Sequence, residues 1–207
     1  MAERVFYLLA GPNGAGKSSL YRAAVKDGLI PADAEFVNAD LHERDHLQHI
    51  TDLQQRSEAA RNWADARRAA LVASGMSFVS ETVFSHPSKI ALIENAQAAG
   101  YVVVLLVVCM DQPERLLARV HQRVSEGGHS VPDQRILERY PRTLANLKIA
   151  VRQADMAMLY DNPGDVREKA ERFAGPVRIA VCRKENTRIL HQPLPQWAQQ
   201  VLGTSSH

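Results

Sequence analysis

Hydrophobic runs alternate with amphipathic stretches along most of the chain. Short apolar runs bounded by turn residues predict strands at residues 5–10, 36–39, 78–80, 101–110 and 156–160. Apolar positions at helical spacing predict helices at residues 17–26, 51–74, 87–99, 113–124 and 134–154. A terminal hairpin is predicted from residues 177–183 and 187–191. The alternation predicts an α/β fold with a doubly wound, mostly parallel sheet.

The most hydrophobic segment is residues 101–110, which are apolar at every position. Such a run is typical of a central parallel strand, because helices cover both faces of the sheet. It is too short to cross a bilayer, so no membrane association is expected. A length of 207 residues fits one domain, which we expect to span residues 1–207.

A glycine-rich turn joins the first predicted strand to the first predicted helix. Residues 11–18 fit the phosphate-loop pattern G-x-x-x-x-G-K-[ST] at every fixed position. Small residues let successive backbone N–H groups point at a phosphate, and the helix that follows adds its positive end. Lys17 is expected to reach the terminal phosphates of ATP, and the Ser18 hydroxyl to bind Mg²⁺. The predicted nucleotide-binding residues are Gly11, Pro12, Asn13, Gly14, Ala15, Gly16, Lys17, Ser18 and Ser19.

Other classes of phosphate-loop protein carry further motifs that this sequence lacks. The N-K-x-D motif with which GTPases read the base is absent, and so is the L-S-G-G motif of transporter ATPases. The dinucleotide fingerprint G-x-G-x-x-G is absent as well. These absences argue against a GTPase, a transporter ATPase and a dinucleotide-binding protein.

Several further segments follow the phosphate loop in a characteristic order. They are Phe36-Val37-Asn38-Ala39-Asp40, Ser80-Glu81-Thr82, residues 123–132, Arg139-Tyr140-Pro141, Asp155 and Tyr160-Asp161-Asn162. With residues 11–19, this ordered set resembles the zeta toxin family of small-molecule kinases, in its compact form. The resemblance implies a P-loop kinase fold and ATP-dependent phosphoryl transfer to a hydroxyl.

The same resemblance implies a substrate and a partner. The better-studied zeta toxins phosphorylate UDP-N-acetylglucosamine and are restrained by a separate antitoxin protein. This chain is shorter and carries Gly127-Gly128-His129 where those toxins have a longer insertion. Kinase chemistry with ATP and Mg²⁺ is therefore the firmer expectation, and a UDP-sugar acceptor and an antitoxin are the further ones.

Acidic residues follow two of the predicted strands, where ligands bind in sheets of this kind. Asp40 could accept the proton of the acceptor hydroxyl, and in the zeta family the Asp here resembles the proposed general base. Its alternative role is to cap a helix beginning at Leu41. Glu81 could hold Mg²⁺ through water or contact the acceptor, with a cap or salt bridge as its alternative. Thr82 beside it is a weaker acceptor-binding candidate.

A basic segment lies between residues 113 and 152, with eight Lys or Arg against four Asp or Glu. We expect a lid at about residues 113–142 that closes over phosphates, with Arg123 and Arg139 neutralising charge during transfer. Their alternative is a pair of solvated helix arginines. Arg119 and Arg142 are further candidates, and His129 has no assigned role beyond shaping the turn.

Two other aspartates are weaker candidates for site residues. Asp65 lies 16 residues before Glu81, near the place of an acidic pocket residue in related toxins, but an exposed helix residue is the favoured interpretation. Asp111 follows the run 101–110 as a Walker B aspartate would, but the favoured interpretation is a cap of the helix at Pro113.

Composition adds a few limits on partners and location. The net charge of +2 gives no reason to expect nucleic-acid binding. The two cysteines show neither disulfide nor metal spacing, so we expect a cytoplasmic protein. Two alternative functions remain: a housekeeping kinase for another sugar, nucleoside or cofactor, and a nucleotide-gated ATPase that switches a partner.

Overall fold

Seven strands form one sheet in a computed structural model that describes residues 3–125, 131–162, 175–184 and 186–204. The order across the sheet is β2-β3-β1-β4-β5-β6-β7. The strands are β1 Val5–Ala10, β2 Glu35–Val37, β3 Phe78–Thr82, β4 Val102–Cys109, β5 Met156–Asp161, β6 Val177–Arg183 and β7 Asn186–Ile189. The first five are parallel, and β6 and β7 are added antiparallel.

Helices connect the strands and cover the sheet. They are α1 Lys17–Lys26, α2 Ala39–His46, α3 Leu53–Ser74, α4 Ala91–Ala98, α5 Pro113–Ser125, α6 Asp133–Gln153 and α7 Gln196–Leu202. A 3₁₀ turn, Pro87–Lys89, precedes α4. Within the described ranges, none of the helices has the length and apolar character needed to cross a membrane.

The core lies on both faces of the sheet, because side chains alternate along each strand. On one face, Leu8 of β1 belongs to a cluster with residues of α3, α4, α6 and α7. On the other, Leu9 belongs to a cluster with residues of α1 and α5. Residues on both sides of β4, such as Leu105 and Leu106, are fully buried. The prediction of a doubly wound, mostly parallel sheet is therefore confirmed.

The predicted elements differ from the structure mainly at their ends. The strand predicted at residues 36–39 spans Glu35–Val37, because Asn38 caps a helix that begins at Ala39. The long helix begins at Leu53, since Asp52 is its N-cap, and it ends at Gly75 as expected. The predicted helix at residues 87–99 consists of the 3₁₀ turn and α4. The terminal hairpin is present, whereas α7 has no counterpart in the predictions.

The topology places the phosphate loop at a crevice in the sheet. β1 lies between β3 and β4, and the register pairs Ala10 with Thr82 on one side and Val107 on the other. These parallel strands therefore end at the same edge, where ligands bind in open α/β sheets. The loops after β1, β2 and β3 consequently meet there.

Candidate active site

The phosphate loop spans residues 11–16, between β1 and α1, and has the backbone conformation that its glycines permit. Gly11 and Gly16 have φ values of 149° and 100°, which residues with side chains rarely adopt. A Cβ atom at Gly11 would lie 2.0 Å from the carbonyl oxygen of Val108, and one at Gly16 would lie 2.4 Å from Nδ2 of Asn162. Gly16 is also the N-cap of α1, so no side chain covers the first N–H groups of that helix. The loop thus presents a backbone suited to phosphate.

Lys17 begins α1, and its ammonium group lies under the loop. Nζ donates hydrogen bonds to the carbonyl oxygens of Gly11 and Pro12, each at 3.0 Å. It also lies 3.6 Å from Oε1 of Glu81, and the Lys17 side chain is 7% exposed. Ser18 follows with an exposed side chain. The lysine therefore joins the phosphate loop to the carboxylate at the end of β3.

Glu81 stands at the centre of the polar contacts in the crevice. Its Oε2 accepts a hydrogen bond of 3.1 Å from Nδ2 of Asn38. Burial raises the pKa of the Glu81 carboxyl, Lys17 and Arg123 oppose that rise, and Asp40 adds to it. Glu81 is thus a mostly buried carboxyl whose charge depends on the groups around it.

Asp40 lies in the first turn of α2 with an exposed side chain. The alternative that it caps this helix is wrong, because the N-cap is Asn38, whose Oδ1 accepts from the Leu41 amide at 3.1 Å. The charge of Asp40 acts on both Glu81 and Arg139. Asp40 is therefore exposed to solvent, and its charge influences the ionisable groups of the crevice.

Arg123 and Arg139, the two arginines predicted to lie on a lid, are on α5 and α6. Arg123 lies near the end of α5 and lowers the pKa of Glu81. Arg139, on α6, is half-buried, and burial lowers the pKa of its guanidinium. Neighbouring arginines add to that effect, whereas Asp40 opposes it. Both arginines thus interact electrostatically with the predicted acidic residues. The turn with Gly127, Gly128 and His129 lies outside the described residues.

Arg119 and Arg142, the two further candidates, differ in their surroundings. Arg119 donates to the Gly14 carbonyl at 3.5 Å and to Oδ1 of Asn162 at 3.4 Å. Arg142 is exposed and donates to the Glu138 carbonyl of its own helix at 3.1 Å. Of the two, Arg119 is the one that contacts the phosphate loop.

Asn162 also contacts the phosphate loop, and it is absent from the predicted site. Its Nδ2 donates to the Ala15 carbonyl at 2.8 Å, and its backbone amide donates to the Cys109 carbonyl at 2.9 Å. Two signals could have suggested it: it follows the carboxyl end of β5, and it belongs to the segment Tyr160-Asp161-Asn162 that carries the family resemblance. Asn162 therefore holds the loop from the far side of β4.

Thr82 and Asp65 make local contacts next to the crevice. The Thr82 hydroxyl accepts from the Phe84 amide at 3.3 Å, within the turn that follows β3. Asp65 forms a salt bridge with Arg68, whose Nη1 donates to Oγ of Ser80 at 3.0 Å. The Asp65 side chain is 56% exposed, in agreement with the interpretation as an exposed helix residue.

Asp111 caps a helix other than the one expected. Its two carboxylate oxygens accept from the backbone amides of Gln196 and Trp197 at 3.0 and 2.7 Å, at the start of α7. The prediction that it caps the helix at Pro113 is therefore corrected. The reason is that α7, which the sequence pattern did not reveal, docks beside the end of β4.

We expect Asp111→Ala to lower stability without impairing catalysis. Losing a side chain that accepts from the first amides of a helix typically lowers the free energy of unfolding by about 1 kcal/mol. Urea unfolding should show this loss, whereas phosphoryl transfer at saturating ATP and Mg²⁺ should stay within a few-fold of the parent. A large drop in transfer with unchanged stability would instead identify Asp111 as a Walker B residue.

The described residues contain no group of three or more His, Cys, Asp or Glu that could hold a metal ion by themselves. Mg²⁺ does not require such a group of residues, because it usually binds through one or two carboxylates together with phosphates and water. The exposed Ser18 hydroxyl and the Glu81 carboxylate beside Lys17 fit that requirement.

A phosphate loop that follows the first strand of a mostly parallel sheet defines a P-loop nucleotide-binding fold. The sequence model of the zeta toxin family matches residues 2–171. The chain therefore belongs to the zeta toxin family of P-loop kinases. In a comparison with curated proteins, no match was found.

Solved structures support the same fold. A structure from the PezAT chromosomal toxin-antitoxin system of Streptococcus pneumoniae has a TM-score of 0.60 and 16% identity, covering 84% of this chain and 76% of that one. A structure of AvrRxo1-ORF1:-ORF2 with ATP has a TM-score of 0.69 and 18% identity. The latter match covers 91% of this chain but only 61% of that chain. At sequence identities of 16% and 18%, these similarities are evidence for the fold alone.

Proposed function

We propose that the chain is an ATP-dependent small-molecule kinase that transfers the γ-phosphoryl group to a hydroxyl. The observation that carries the proposal is the 3.6 Å approach of Lys17 Nζ to Glu81 Oε1. It places the phosphate-binding lysine directly beside the acidic side of the crevice, where Asp40 also acts. A donor phosphate and an acceptor hydroxyl could therefore be held next to each other.

The residues of the crevice divide into donor and acceptor sides. ATP is bound by the backbone of residues 11–19 and by Lys17. Ser18 and Glu81 would hold Mg²⁺, which would supply positive charge to the phosphates. Asp40, Glu81 and Thr82 bind the acceptor, and Asp40 takes its proton.

The lid of this kinase consists of α5 and the first part of α6, about residues 113–142. Arg123 and Arg139 lie on these helices and act electrostatically on Glu81 and Asp40, respectively. Lid closure would bring both guanidinium groups to the transferring phosphoryl group. We take residues 1–207 as one kinase domain, in which all seven described strands share one sheet.

Arg123→Ala should lower the rate of transfer more than it weakens ATP binding. A guanidinium that engages only in the closed state stabilises the transition state more than the bound nucleotide. We expect kcat to fall by at least about tenfold, with a smaller change in the ATP dissociation constant. Small and equal effects on both quantities would make Arg123 a solvated helix residue.

The acceptor that we propose is UDP-N-acetylglucosamine, and membership of the zeta toxin family supports it. The family also suggests an antitoxin partner, since one similar structure comes from a toxin-antitoxin system. Other sugars, nucleosides or cofactors would satisfy the same arrangement of carboxylates.

The test is a screen of UDP-sugars, nucleotides and cofactors with ATP labelled at the γ-phosphate. We expect little ATP hydrolysis until the acceptor is added, followed by transfer of the label to that compound. Slow ATP turnover that no compound accelerates, together with nucleotide-dependent binding of a protein, would instead show a partner switch.

A further inference from the structure

The side-chain amide of Asn38 makes two hydrogen bonds, one within α2 and one to β3. Its Oδ1 accepts from the Leu41 amide at 3.1 Å and so caps α2. Its Nδ2 donates to Oε2 of Glu81, at the end of β3, also at 3.1 Å. The residue is 7% exposed, so neither contact is readily replaced by water.

These two contacts require asparagine rather than any capping residue. Ser and Asp cap helices about as well as Asn does. An Asp here could not donate to Glu81, and its negative charge would face the Glu81 carboxylate. The orientation of the amide is also fixed, since a flipped amide would place its oxygen against the carboxylate and its NH₂ group against the Leu41 amide.

The body of α2 packs against α3. Glu43 is its one buried side chain, and the ring of His42 stacks on Trp63 of α3 at 3.8 Å. The N-terminus of α2, which carries Asp40, is tied to the sheet through Asn38. From Asn38 the contacts continue through Glu81 to Lys17 and the phosphate loop.

We infer that Asn38 is a positioning residue that holds Asp40, Glu81 and Lys17 in one fixed arrangement. The inference rests on the proposed function, in which Asp40 and Glu81 handle the acceptor. Asn38 needs no contact with ATP or the acceptor in this role. It fixes the distance between the base and the phosphate loop, and a small misplacement of reacting groups slows transfer.

Asn38→Ser separates this role from simple capping. It keeps a hydroxyl oxygen for the Leu41 amide, so a residue that only caps would tolerate it. The shorter serine side chain has no amide N–H group to donate to Glu81, so the tie between α2 and β3 is lost.

The experiment compares Asn38→Ser with Asp52→Ser, a change to the same residue at the N-cap of α3. Asp52 Oδ1 accepts from the Gln55 amide at 2.7 Å, three residues on as in Asn38. For Asn38→Ser we expect kcat for transfer to fall roughly tenfold relative to the parent, with a smaller change in the ATP dissociation constant. Its melting temperature should fall further than that of Asp52→Ser, because the hydrogen bond to Glu81 is lost as well. Asp52→Ser should leave kcat unchanged.

Two results would overturn the inference. One is a kcat of Asn38→Ser equal to that of the parent, and the other is a melting temperature of Asn38→Ser no lower than that of Asp52→Ser. A parent that binds ATP but transfers to no acceptor would refute the proposed function alone. In that case the comparison of melting temperatures would still decide whether Asn38 holds Glu81.

Discussion

Lys17→Ala should abolish most phosphoryl transfer, lowering the rate on the order of 100- to 1,000-fold. The lysine ammonium lies under the phosphate loop and is nearly buried, so its charge acts in a poorly solvated site. Its loss removes the positive charge that faces the developing charge on the γ-phosphoryl group. It also removes a cation that lies 3.6 Å from Glu81, which favours the neutral form of that carboxyl.

The control for this substitution is Lys26→Ala, at the exposed end of the same helix. It removes the same charge and the same length of side chain, but far from the loop, and should leave transfer within a few-fold of the parent. Both variants should be compared in a γ-phosphate transfer assay and by circular dichroism. Activity of Lys17→Ala near that of Lys26→Ala would refute the assignment of the phosphate loop.

The phosphate loop could be predicted because its chemistry is local in sequence. The backbone of residues 11–16 requires glycine where a Cβ atom would strike Val108 or Asn162, and that requirement is visible as the spacing of the glycines. The central strand was equally clear, since Val102–Cys109 is buried on both faces. Where burial or backbone conformation dictates residue type, the structure can be predicted from the sequence pattern.

The contacts between distant elements could not be predicted in the same way. Asn38, Asp111 and Asn162 are ordinary polar residues after strands, and Asn and Asp commonly cap helices. Asn38 does so, but its amide also reaches Glu81. Asp111 instead caps α7 from 85 residues away, and Asn162 holds the phosphate loop. Which partner such a side chain takes depends on the packing of the chain, which local patterns do not encode.

Asp40→Asn should bind ATP and Mg²⁺ almost normally and yet lose roughly 100-fold or more of the transfer rate. An acceptor hydroxyl is a poor nucleophile until a base within about 2.6–3.2 Å can take its proton. Asn has nearly the shape of Asp but cannot accept that proton. The cap of α2 belongs to Asn38, so the exchange leaves the start of the helix intact.

The electrostatics of the crevice exclude one indirect explanation for such a loss. The charge of Asp40 raises the pKa of Glu81, so Asp40→Asn lowers that pKa and favours the ionised form of Glu81. A loss of transfer could therefore not be attributed to neutralisation of Glu81. Asp45→Asn, on the same helix and exposed beside Arg44, is the matched control and should be nearly silent. Full transfer by Asp40→Asn would exclude Asp40 as the base, and Glu81, which lies 3.6 Å from the lysine, would then be the carboxylate to test.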